Sequence, residues 1–158
     1  MTSFFDWLEN TSWAEGIRQS MWWYPALEIV HIVGIVVLVG AAFMFDLRLL
    51  GVSKSVPLPV LASHMLPWSA RGLLLIVPSG ILLFITNANA LAIDPTFWLK
   101  MALLVVAALN ALVFHRFMLK RLPGKVGEAA LPAATKVSAV VSIAVWIAVI
   151  ACGRLLAY

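Results

Sequence analysis

Four apolar stretches, each close to the length a bilayer demands, govern what this chain can fold into. A helix rises 1.5 Å per residue, so ~20 residues cross a hydrocarbon layer ~30 Å thick. The stretches cover residues 24–47, 67–90, 95–117 and 133–157, each uncharged through its middle. Of the 158 residues 63% are apolar and only 11% charged, against roughly 25% charged in a soluble domain. A globule this small cannot hide such an excess from water, so it must face lipid. That excludes a disordered chain, a nucleic-acid-binding arm and a soluble enzyme. The apolar runs are continuous rather than alternating, which excludes a β-barrel. The expected fold is all-α: one domain, an antiparallel four-helix transmembrane bundle.

Local signals place the ends of the spans. Pro25 and Pro95 suit the first turns of the first and third helices. Asn87 and Asn89 close the second span in a short polar turn, Pro123-Gly124 breaks the chain after the third, and Pro132 opens the fourth. Pro78, inside the second span, removes a backbone hydrogen bond and predicts a kink. Before the first span, Phe4, Phe5, Trp7 and Leu8 recur at helical spacing, and Ser12-x-x-Glu15 reads as a capping box. Acids at Asp6 and Glu9 argue against a signal peptide. Residues 3–20 therefore read as a short interfacial helix, followed by the aromatic belt Trp22, Trp23 and Tyr24.

Basic residues set orientation. The loops on one side carry Arg48, Lys54, Arg116, Lys120, Arg121 and Lys125, with Lys136 at the edge. The other side has Arg18, and none in residues 87–94. The positive-inside rule puts the basic side in the cytoplasm and both termini outside a bacterial inner membrane. The bilayer is the implied partner, with room for a partner membrane or periplasmic protein. A net charge of +4, so scattered, does not point to nucleic acid.

Charges at membrane depth are functional candidates. Glu28 and His31 share a face of the first helix; Lys100 and Arg154 lie at similar depth in the third and fourth. These four can meet in an outer polar cluster. Asp46 and Arg71 form an inner group and an expected ion pair. His64, Trp68 and Arg71 share a face if their helix begins before Pro67. Thr135, Ser138, Ser142, Trp146 and Gly153 form a narrow stripe on the fourth span, suited to close packing, and Asn110 needs a partner such as Ser138 or Ser142.

The three histidines, His31, His64 and His115, are the candidate cofactor ligands, and heme b is the cofactor they suit. His31 and His115 differ in depth by ~20 Å, too far for one heme. His64 and His115 can clamp one near the cytoplasmic side, while His31 would need Met101 or Met21. With one cysteine, Cys152, the chain holds neither an internal disulfide nor a zinc cluster.

The set Trp23-Tyr24-Pro25, Glu28-x-x-His31-x-x-Gly34, Asp46-Leu47-Arg48-Leu49-Leu50-Gly51, Leu66-Pro67-Trp68, Phe97-x-x-Lys100, Asn110-Ala111, His115 and Gly153-Arg154-Leu155-x-x-Tyr158 resembles a family of small bacterial four-span membrane proteins of unknown function. The pairs His31/Arg48 and Lys100/His115 also look distantly like copper-resistance D-type proteins and the heme-associated protoporphyrinogen oxidase. Three readings stay open: a b-type heme or redox protein, a small transporter or metal-handling protein, and a non-catalytic membrane subunit. No phosphate loop, nucleophile triad, zincin motif or dinucleotide fingerprint is present, which leaves enzymatic activity undecided.

Overall fold

The computed structural model describes residues 2–119 and 131–156. Lys120, Arg121, the break at Pro123-Gly124, Lys125, Ala157 and Tyr158 lie outside the described residues. The described chain contains no strand. Two short helices, α1 (Thr2–Glu9) and α2 (Ser12–Gln19), precede the long α3 (Trp23–Leu49) and α4 (Leu58–Thr86). A six-residue α5 (Ala88–Ile93) leads into α6 (Pro95–Val113), a π-helical turn (Phe114–Met118) and α7 (Ala133–Leu155). Four helices are thus long and apolar enough to cross a membrane.

Three boundaries differ from the sequence expectation, each for a physical reason. The second span begins at Leu58, nine residues ahead of Pro67, because Pro57 and Pro59 already fix the first-turn geometry. Pro67 and Pro78 both lie within a continuous helix. The turn after it is itself helical, as α5. The N-terminal segment is two helices rather than one. The cap of α2 is Thr11, whose hydroxyl accepts from the Ala14 amide, so Ser12 lies one position inside the helix. Asp94 caps α6 in the same way, accepting from the Thr96 amide at 2.7 Å.

Helix α3 ends in a Schellman turn. The Val52 amide reaches the Leu47 carbonyl and the Gly51 amide that of Arg48. Gly51 takes φ +104°, a conformation open to a residue without Cβ. Arg48 then staples the connecting loop, donating to the Val56 carbonyl (2.8 Å) and the Lys54 carbonyl (3.1 Å).

Helix α3 packs most extensively on α4, α6 on α7, and α3 also meets α7. The α3–α4 seam is built on glycine. A Cβ on Gly72 would stand 2.7 Å from the Leu38 amide nitrogen and 2.9 Å from the Gly34 carbonyl oxygen. A Cβ on Gly34 would stand 2.8 Å from Ile76. Small residues permit this approach, and dispersion rather than hydrophobicity rewards it in lipid. The apolar core gathers at the C-terminal end of α3, where Phe45 and Leu49 meet Leu58, Ala62, Phe114 and Ala139. Phe45 and Phe114 pack edge to face at 5.5 Å. On the α6–α7 seam, Asn110 donates to the Ser138 carbonyl (3.1 Å) while the Ser138 hydroxyl donates to Asn110 Oδ1 (2.9 Å). The two side chains thus satisfy each other across the seam, as hydrocarbon requires.

Gly72→Ala must push α3 and α4 apart against backbone atoms. It should lower stability by about 1–3 kcal/mol, read as a fall in the melting temperature of the detergent-solubilised protein.

Candidate functional site

Polar side chains collect at two levels of the bundle. At the end where α3 begins, His31 leans on α4. The Ser79 hydroxyl donates to the Leu75 carbonyl at 2.5 Å, so towards His31 Nδ1, at 2.9 Å, it acts as acceptor. That places the imidazole proton on Nδ1 and leaves a lone pair on Nε2. Gly80 makes room for the ring: a Cβ there would stand 3.1 Å from His31 Cε1. Lys100, from α6, turns its ammonium group towards α7, where a Cβ on Gly153 would stand 3.7 Å from Nζ. It lies within electrostatic reach of His31 and Cys152. Four helices thus contribute to one station: α3 through His31, α4 through Ser79-Gly80, α6 through Lys100 and α7 through Cys152-Gly153.

The other expected members are Glu28 and Arg154. Glu28 is exposed and faces Tyr24, one turn away on its own helix, rather than Lys100. No carboxylate among the described residues forms an ion pair with Lys100. Arg154 occupies the last turn of α7, where its charge complements the helix carbonyls.

At the opposite end of α3 the expected Asp46–Arg71 pair does not form. Asp46 is buried, at 7% exposure, and among the described residues Oδ2 has no hydrogen-bond partner. Ser142 of α7 is the side chain that approaches its carboxyl. Arg71 is exposed instead, its guanidinium 4.8 Å from the centre of the Trp68 ring. Because α4 starts before Pro67, Trp68 and Arg71 are neighbours on a helical face, and stacking satisfies the cation without Asp46.

His64 and His115 are both exposed. His64 Nδ1 donates to the Val60 carbonyl (2.8 Å) and His115 Nδ1 to the Ala111 carbonyl (2.9 Å), so each again keeps a lone pair on Nε2. His115 lies in the π-helical turn and borders a groove of about 460 Å³ shared with Pro59, Ala62, Leu66, Pro67 and Leu119. His64 is not among the groove's lining residues. No three His, Cys, Asp or Glu side chains converge among the described residues.

Above the first station, α1 and α2 fold over the α4–α6 connection. Asn89 is the clamp: its amide nitrogen donates to Glu9 Oε1 (2.8 Å), and its side chain donates to Glu9 Oε2 (2.9 Å) and Asp6 Oδ1 (2.8 Å). Arg18 donates to the Thr86 carbonyl at the end of α4 (3.1 Å) and to the Glu9 carbonyl. Phe84 stacks on Phe97 and takes Phe5 edge-on. Sequence reasoning treated Asn89 as a turn residue and Asp6 and Glu9 only as evidence against a signal. It also missed Ser79 and Gly80 beside Pro78, and Gly153 as a neighbour of Lys100. A polar-small pair such as Ser79-Gly80 in an apolar run was the available signal, since it marks where a neighbouring polar side chain can enter.

These features define a multi-pass membrane protein of four spanning-length helices with polar side chains inside. The chain belongs to a family of unknown function, DUF6644, whose sequence profile matches residues 4–158. No curated protein and no solved structure matches it.

Asn89→Ala removes two side-chain hydrogen bonds from the N-terminal clamp. Amides of α1 and α2 should then exchange faster in hydrogen–deuterium exchange, with α3 and α4 unchanged.

Proposed function

We propose that this is a small transporter-like protein that binds a small monovalent anion at the station made by His31 and Lys100. The reading rests on the Lys100 ammonium group, which stands at membrane depth beside His31 with no carboxylate ion pair among the described residues. A cation in a poorly solvated site attracts an anion strongly. The same charge repels a metal ion from His31 Nε2, which favours an anion over the metal-handling alternative. Lys100 supplies the charge, and the His31 ring accepts or carries a proton through Nε2. Ser79 fixes the ring, and Gly80 and Gly153 leave room at the walls. In the orientation the basic loops favour, this station lies at the outer end of the bundle in a bacterial inner membrane, below α1 and α2. There α1 and α2, with exposed Trp7 and Trp13, and Trp22 just before α3 lie at the lipid surface.

The test is uptake of chloride, acetate and inorganic phosphate into proteoliposomes. The intact protein should accelerate at least one monovalent anion over empty vesicles. Lys100→Met should cut that flux by about tenfold or more, the loss of one charge-assisted contact, with His31→Gln intermediate. Flux indistinguishable from empty vesicles, or unchanged in Lys100→Met, would reject the proposal.

A second reading keeps the b-type heme, at a different place. It is favoured by His115, which offers Nε2 from a π-helical turn beside an apolar groove. Such turns are frequent at functional sites, and a ring nitrogen anchored through Nδ1 is the usual arrangement of a metal-ligating histidine. Protein expressed with heme precursor should then show a Soret band that His115→Ala removes and His31→Ala retains. A colourless preparation rules this reading out.

A further inference from the structure

We infer that Asp46 is a proton-binding site, with the Ser142 hydroxyl as its hydrogen-bonding partner across the α3–α7 contact. Among the described residues Asp46 is the one buried charged side chain. It lies beside an apolar core cluster, next to Phe45 and one turn from Leu49. A buried carboxylate needs a cation or several donors to remain ionised. Among the described residues neither is supplied. On its own helix, Arg48 is committed to the Val56 and Lys54 carbonyls. On α4, Arg71 is stacked on Trp68. Beyond α6, His115 donates to Ala111, and His115 and Arg116 are exposed. On α7, Lys136 is exposed, and Ser142 is the polar group that approaches the carboxyl. Among the described residues Oδ2 has no hydrogen-bond partner.

Uptake of one proton by Oδ2 converts the carboxylate to a neutral acid and removes the unpaired charge without any other bond changing. The acid O–H is then a donor, and the Ser142 hydroxyl can accept from it or donate to Oδ1. Release of the proton restores an unpaired charge between α3 and α7, so that contact is the element the proton biases. This inference is independent of the anion station, which uses neither residue.

Infrared difference spectroscopy of the full-length protein in lipid, acid minus alkaline, tests it. The intact protein should show a carbonyl stretch of a protonated carboxylic acid in a poorly hydrated setting. Asp46→Asn should abolish that band, while the bands of the water-exposed acids persist. Ser142→Ala should shift the band by removing its hydrogen bond, and this variant serves even if Asp46→Asn does not fold. A spectrum with no such band, or a band unchanged in either folded variant, would overturn the inference.

Discussion

The close approach of α3 and α4 at Gly34 and Gly72 is the contact on which the rest of the molecule depends. In lipid no hydrophobic force drives two apolar helices together, so contact must come from packing and from hydrogen bonds between them. Removing both Cβ atoms lets backbone meet backbone, and that brings His31 within 2.9 Å of Ser79. The Ser69 hydroxyl reaches the Leu38 carbonyl at 3.3 Å along the same seam. A wider seam would leave the His31 ring facing lipid, where an imidazole without a partner is costly. The glycines thus determine the histidine's tautomer as well as the packing.

Cations in this protein are satisfied by carbonyls and rings more than by carboxylates. Arg18 caps the end of α4 at Thr86, Arg48 binds the carbonyls of the loop after α3, and Arg71 covers Trp68. Each lies near a helix end or on an exposed face, where water and dipoles share the charge. Acids follow a different rule. Asp6 and Glu9 hold Asn89 at the surface, and Asp94 caps α6. Among the described acids Asp46 alone is taken into the interior.

Periodicity and hydropathy made the spans legible, because ~20 uncharged residues admit few alternatives in a bilayer. The Asn110–Ser138 pair was also within reach, since a buried amide must find a partner at its own depth. The start of α4 was not. Pro67 looks like a helix opening, and only tertiary packing of Leu58 and Ala62 against Phe45 and Leu49 reveals the earlier turns. The Asp46–Arg71 pairing failed for a related reason: charge and depth suggest attraction, but helix rotation decides whether two side chains face each other. The Asn89 clamp joins residues eighty positions apart, a distance at which local sequence carries no signal.

The three histidines are chemically alike and positionally different. All donate through Nδ1, and all keep a lone pair on Nε2, so tautomer alone cannot distinguish a ligand from a bystander. Surroundings can. His64 and His115 return their protons to a carbonyl four residues back on their own helix, a bond any exposed helical histidine can form. His31 instead bonds across to a neighbouring helix, at a place where glycine has cleared the space and a lysine has brought a charge. Such a ring is held by contacts from outside its own helix, and an arrangement of that kind requires several sequence positions to agree. Agreement among Gly34, Gly72, Ser79, Gly80, Lys100 and Gly153 makes the His31 station the more constrained of the two polar levels, held in the fixed geometry that a proposed binding site requires.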